Sequence, residues 1–191
     1  MKDRSGGNAM ALKEWTKLTE ETLYRNPWWM YKRDTFALPS GEEGEYHYVQ
    51  TPGSVMLIPV AADGRFVFVR QYRYLNRRVS IEFPAGGIKS GQSPEAAASA
   101  ELREEAGFVG KELLAIGQFN PFNGVTDELC HVYVARDLHE VEAEPDVTEE
   151  FEILFLDPSG IREAIKEGTL WDGMTLAAWS MYQANIAVGE R

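Results

Sequence analysis

Residues 84–108 read PAGGIKSGQSPEAAASAELREEAGF, and the rest of the chain is read outward from them. The stretch divides into a glycine loop, a turn and a helix predicted to begin at Pro94 and to stop before Gly107. Ser93 suits the N-cap, and Pro94 suits the first helical position, where its missing N–H loses nothing. Gly107 suits the left-handed residue that follows a helix. On this helix Glu101, Glu104 and Glu105 stand at i, i+3 and i+4, so one face carries all three carboxylates. Like charges on one arc repel. A solvated face with Arg103 nearby tolerates that, but a hard divalent cation accounts for it better, because Mg²⁺ takes oxygen ligands from carboxylates and substrate phosphates.

Upstream, residues 55–60 (VMLIPV) read as a strand, Ala62-Asp63-Gly64 as a hairpin turn, and residues 66–72 as the next strand, ending in Arg70-Gln71-Tyr72-Arg73. Asp-Gly between two apolar runs is a strong hairpin signal. Residues 79–83 lead into the glycine loop. Strand, glycine loop and helix in this order also raise a phosphate-binding P-loop, but the Lys-Ser/Thr pair is absent at its required spacing, which excludes it. Nearer the N-terminus, residues 11–23 are compatible with a strand or a short helix. Residues 24–37 are aromatic and extended, with Asn26-Pro27 as a breaker. Pro39-Ser40-Gly41 is a turn, and residues 46–51 alternate as the second strand of that hairpin.

Downstream, residues 113–119 and 129–135 read as strands on either side of a loop, Asn120 to Glu128. Residues 140–150 read as a solvated acidic loop and 151–156 as a strand. Residues 158–167 begin the helical end of the chain, and Asp172 caps a last helix over 173 to about 187. Mixed strands around one central helix, with helices at the end, predict an α/β sandwich with a mixed sheet.

The stretch 86–108 resembles the signature of the Nudix hydrolases: Gly, five residues, Glu, seven residues, then Arg-Glu-aliphatic-x-Glu-Glu-x-Gly-aliphatic. Gly86 opens it, and Ala100-Glu101-Leu102-Arg103-Glu104-Glu105-Ala106-Gly107-Phe108 closes it with complete spacing. Two positions depart: Gln92 stands where Glu is usual, and Ala100 where Arg is usual. Losing one member of a buried charge cluster leaves an unpaired charge, at about 3–5 kcal/mol. Losing an acid and a base together leaves the charge sum unchanged. We read the two departures as a matched pair, with Arg103 as substitute orienter of the glutamates; a large gain in rate from Ala100→Arg alone would refute this. Further features look like the ADP-ribose pyrophosphatase and nucleotide-sugar hydrolase branch: Asn26-Pro27-Trp28-Trp29, Arg70-Gln71-Tyr72-Arg73, Glu82-Phe83-Pro84-Ala85-Gly86, and a loop with Pro121, Gly124, Asp127 and Glu128.

The resemblance implies a Nudix-type α/β/α sandwich with a mixed sheet plus an N-terminal β extension. Residues 1–10 would be a flexible lead-in, 11–52 a β-rich extension that forms a homodimer, and 53–191 the hydrolase domain. It implies Mg²⁺, with Mn²⁺ as a substitute, held by Glu101, Glu104, Glu105 and the Ala85 carbonyl. It implies that Glu128, with Asp127 as the alternative, orients or deprotonates the attacking water, acting with Glu104 and Glu105. Glu82 matches a position that touches the substrate's nucleoside, although a structural salt bridge is an equal reading.

The residues themselves suggest that Arg73, rather than Arg70 on the opposite strand face, clamps a phosphate. Trp28, Trp29 and Tyr31 read as packing or dimer surface, or as faces on which a base stacks. The implied reaction is hydrolysis of the pyrophosphate bond of a nucleoside diphosphate sugar. The substrate would be ADP-ribose, or a hexose nucleotide such as GDP-mannose; Asp172-Gly173-Met174 lacks the lysine common in relatives that prefer the latter. Alternatives are a hydrolase of another diphosphate, such as a dinucleoside polyphosphate, and a sensor that binds nucleotide sugars without turnover.

Composition narrows the partners. A net charge of −11 over 191 residues opposes general nucleic-acid binding, which needs a basic surface. No apolar run approaches the roughly 20 residues of a membrane-spanning helix, and no secretory apolar segment is visible near the start, so a cytoplasmic location is the default. The single cysteine, Cys130, excludes an intrachain disulfide and reads as a core strand residue. His47, His131 and His139 show no metal-ligand spacing and read as structural or surface residues.

Overall fold

Asn26 makes the first decisive turn. Its Oδ1 accepts hydrogen bonds from the backbone N–H groups of Trp28 (2.9 Å) and Trp29 (2.8 Å), the local side-chain bonding that favours Asn in turns. The chain reverses there, joining β1 (Thr16–Arg25) to β2 (Met30–Ala37), and again at Gly41 (φ +87°) to reach β3 (Glu43–Gln50). The ambiguous segment 11–23 is therefore strand where it is ordered into an element. The three strands form an antiparallel sheet in the order β1-β2-β3.

The computed structural model describes residues 12–143 and 150–189. The chain divides into two compact units, Met1–Gln50 and Thr51–Arg191. The lead-in expected over residues 1–10 lies outside the described residues, as do 144–149 of the acidic loop.

In the second unit β4 (Ser54–Pro59) is buried along its whole length. A strand covered on both faces must sit inside a sheet, with its backbone groups paired on both sides. It pairs in parallel with β9 (Cys130–Glu140) and antiparallel with a three-residue strand, β7 (Ala85–Gly87). With β8 (Phe108–Phe119) they form a mixed sheet in the order β7-β4-β9-β8. A second, antiparallel sheet holds β5 (Phe66–Arg73), β6 (Arg78–Glu82) and β10 (Glu152–Leu156), ordered β10-β5-β6.

This corrects the hairpin expected at Asp63-Gly64. The turn forms, with Gly64 at φ +84°, but β4 and β5 part into different sheets and keep only the bridge Val60↔Phe66. Burial on both faces sends each strand to better partners than the other.

The central helix, α1 (Pro94–Ala106), has the predicted ends. Ser93 Oγ accepts from Ala96 N–H at 3.2 Å, and Gly107 is left-handed (φ +69°), with its N–H bonded to Arg103 O. At the chain's end lie α2 (Pro158–Glu167), capped by Asp157, and α3 (Gly173–Gly189). Asp172 Oδ2 accepts from Thr175 N–H at 2.7 Å, the cap expected for the last helix.

The core has two parts. Ala97, Ala98 and Leu102 of α1 pack with Val55, Leu57 and Val67. On the other side Ile161 of α2 and Trp179 of α3 pack with Met56, Ile58, Phe66 and Phe68, and Phe68 stacks on Phe83 at 4.3 Å. Strands between helices on both sides make the α/β/α class. Cys130 is wholly buried, as expected, and burial pushes its thiol up to about 12. Among the described residues no helix is long and apolar enough to cross a membrane.

Candidate active site

The site begins where β7 meets α1. Gly86 has no side chain, and a Cβ built there would lie inside the space of the Glu101 carboxyl group. Only glycine lets the loop backbone approach that carboxylate so closely. One helical turn on, Glu105 is buried, and its Oε2 accepts from the Ala85 N–H at 2.9 Å. Glu104 lies between them on the helix and is half-buried. The expected spacing has thus brought Glu101 and Glu105 against the Ala85-Gly86 backbone.

The chemistry of this donor set suits a hard cation: carboxylate oxygens beside the loop backbone, with no sulfur or imidazole among them. The space left by Gly86 gives Glu101 room beside the loop. Among the described residues no group of three His, Cys, Asp or Glu side chains is already arranged to hold a metal ion.

Glu128 stands at the mouth of β9, half-buried. It accepts a hydrogen bond from Ser54 Oγ at 2.5 Å, and its own N–H bonds to Thr126 Oγ1. Ser54 begins β4, next to the Gly87 end of β7 in the register, so Glu128 is tied to the strand that flanks the glycine loop. Asp127 is exposed and accepts from Thr51 N–H at 3.2 Å. Sequence reasoning missed Ser54. A small hydroxyl residue just before a buried strand was its only signal.

Arg73 and Glu82 meet across β5 and β6. Arg73 Nε lies 2.9 Å from Glu82 Oε1, and Nη2 bonds Oε2. The Glu82 side chain is only 2 % exposed, against 44 % for Arg73. Gln71 Nε2 donates weakly to the same carboxylate, at 3.4 Å. Glu82 beside it holds the Arg73 guanidinium above its ordinary value, with Asp172 and Glu105 adding smaller attractions. Of the two readings of Glu82, the geometry has the salt bridge. Arg70 faces elsewhere and pairs with Glu152 of β10 at 2.6 Å.

The motif departures have distinct surroundings. Gln92 closes its own turn: its Oε1 accepts from Lys89 N–H at 3.0 Å, and its N–H donates to Lys89 O. Ala100 is half-buried on α1, and Arg103 is exposed near the helix C-terminus, where a cation complements the helix dipole.

Trp28 and Trp29 sit at the β1–β2 turn of the N-terminal unit, 75 % and 38 % exposed, and Trp29 packs against Tyr24. His47 contacts the Tyr31 hydroxyl, His131 lies on β9 and is half-buried, and His139 is exposed.

The NUDIX domain family matches residues 50–174. The chain is 29 % identical over 153 residues to an ADP-ribose pyrophosphatase of Bacillus subtilis, covering 79 % of this chain and 83 % of that protein. It is 31 % identical over 157 residues to a methanol dehydrogenase activator of Bacillus methanolicus, covering 81 % and 85 %. Its fold is similar to the crystal structure of an ADP compounds hydrolase, with a TM-score of 0.82 at 20 % identity, covering 95 % of this chain and 98 % of that one.

Proposed function

The chain belongs to the Nudix family, and from that premise we propose that it hydrolyses the pyrophosphate bond of nucleoside diphosphate sugars, with ADP-ribose yielding AMP and ribose 5-phosphate. The observation that carries this reading is the contact of Glu101 and Glu105 with the Ala85-Gly86 backbone. The name of the Bacillus subtilis relative supports the substrate class.

Glu101, Glu104, Glu105 and the Ala85 carbonyl would hold Mg²⁺, with Mn²⁺ as substitute. A divalent cation bound there shields the phosphate oxygens and lowers the pKa of a bound water. The remaining chemistry belongs to side chains. Glu128, held by Ser54, orients the water and takes its proton as the water oxygen bonds to phosphorus and the bridging P–O bond breaks. Arg73, anchored on Glu82, presents the rest of its guanidinium edge to a phosphate.

The exposed rings of Trp28 and Trp29 offer faces for a base. The N-terminal sheet, with Trp15, Leu18, Leu23 and Tyr24 exposed, takes a second copy of the chain as its cover. Equilibrium sedimentation that returns only the 21.5 kDa monomer mass at micromolar concentration would refute the dimer.

Product analysis with ADP-ribose and a panel of nucleotide sugars and dinucleoside polyphosphates, in Mg²⁺, tests the activity. Glu105→Gln is expected to lower turnover by more than ~10²-fold, since replacing even an outer partner of a metal ligand costs 10–100-fold. Binding without any product across the panel would favour a sensor.

A further inference from the structure

Residues 82–85 are tethered one at a time to four different elements. Glu82 is clamped by Arg73 of β5. Phe83 N–H donates to the buried Thr175 Oγ1 of α3 at 3.2 Å. Pro84 O accepts from Leu57 N–H of β4 at 2.9 Å, and Ala85 N–H donates to Glu105 of α1. Of these four tethers only the first joins two charged side chains.

We infer that Arg73 is a positioning residue: by clamping the buried Glu82 carboxylate it sets where the Ala85 carbonyl and the Glu105 carboxylate lie, and it acts on the reaction through them. This rests on the metal-assisted reading of the site. A guanidinium fork meeting both oxygens of a carboxylate fixes angle as well as distance, which a lysine ammonium does not. The burial of Glu82 removes water as a competing partner, so the carboxylate has few other ways to be satisfied. The pairing of β5 with β10 ends at Arg70↔Glu152 among the described residues, whereas its pairing with β6 runs on to Arg73↔Arg78. That end of β5 is the hairpin end; from it the Arg73 side chain reaches back along the ladder to Glu82, which stands opposite Val69 and leads directly into the glycine loop.

The test uses the full chain with Arg73→Lys, which keeps the charge and loses the fork, and Glu82→Gln, which keeps the shape and loses the charge. Mn²⁺ binding is followed by the electron paramagnetic resonance of the free ion, kcat and KM are measured separately on ADP-ribose, and circular dichroism melting reports the fold. Both variants are expected to bind Mn²⁺ about tenfold more weakly. Their kcat falls by a similar factor, while KM stays within about threefold in Glu82→Gln, the variant that leaves the Arg73 side chain itself in place. A rise in KM alone, with Mn²⁺ binding unchanged, would overturn the inference and leave Arg73 as a phosphate contact only. Unchanged Mn²⁺ binding and kcat in both variants would overturn it outright. A wild-type protein that neither binds Mn²⁺ nor turns over substrate would instead remove the metal-assisted premise, a result visible before any variant is made.

Discussion

β1 and β4 are both strands paired in sheets, yet one leaves every residue exposed and the other buries every residue. Among described residues 12–50 only Lys32 is buried. The faces of that sheet are knit by charge instead: Lys17 and Lys32 on Glu20, Lys17 on Asp34 at 3.0 Å, and Arg33 between Glu21 at 2.6 Å and Glu45 at 3.3 Å. The unit from Thr51 onward is built around two apolar clusters. Exposed ion pairs contribute about 0–1 kcal/mol each, whereas a buried aromatic side chain contributes several times more. A small sheet without a covered face is marginal by itself. The two regions should therefore fail for different reasons, the one when its charges are changed and the other when its volume is changed.

The sharpest way to break that contrast is in the core. Phe68→Ala removes a wholly buried ring stacked on Phe83 and is expected to destabilise the second unit by about 3–5 kcal/mol in urea unfolding. A loss under 1 kcal/mol would mean that packing is not what holds this unit. Next in size is an effect on rate. Gly86→Ala pushes a methyl group into the Glu101 carboxylate, and displacement on the ångström scale is expected to lower kcat by about 10²-fold. The variant should still melt cooperatively, so near-normal turnover on ADP-ribose would show that Glu101 is not needed where it stands.

In the N-terminal sheet Trp15 stacks on Phe36 at 4.5 Å and remains 55 % exposed. Trp15→Ala is expected to remove only about 0.5–1.5 kcal/mol, and a loss as large as that of Phe68→Ala would erase the contrast.

The smallest effect is in pH and salt. Bonds from Lys17 and Lys32 hold the exposed Glu20 down to about 2, and Glu20 and Asp34 raise the Lys17 ammonium above its ordinary value. A carboxylate depressed in the folded state stabilises it above the unfolded value of about 4.3 and loses that contribution as pH falls through the folded value. Amide exchange in β1 and β2 should therefore quicken as pH drops from about 4.5 to 2, after correction for intrinsic rates, and again in molar salt. Exchange that ignores both variables would show that the charge network contributes nothing.

Much of the second region was legible from its residues. Ser93, Pro94 and Gly107 are local signals that act through their own backbone, and they bound α1 where expected. The i, i+3, i+4 glutamates followed from helical periodicity alone. The Asp63-Gly64 turn was legible as a turn, but its two strands belong to different sheets, because strand pairing is chosen by burial across the whole domain. β7 was missed: three residues, Ala85–Gly87, carry too little pattern to mark a strand, and only its pairing with β4 makes it one. β8 begins at Phe108, five residues before the expected start at Leu113, because its ladder with β9 continues past the apolar run. Glu82 gave two equal readings, since nothing local to it says which way a strand end will face.

The sequence by itself therefore determined the family signature, the capped helix, the shared face of its three glutamates and the acidic character of the surface. Each of these depends on spacing along one element or on composition. Tertiary structure decided the parallel partnership of β4 with β9, the split between two sheets, the tie from Ser54 to Glu128 and the burial of Glu82 beneath Arg73. Those join residues nine to 76 positions apart, and such contacts form only when the free energy of burying the whole core offsets the entropy of closing the chain between them.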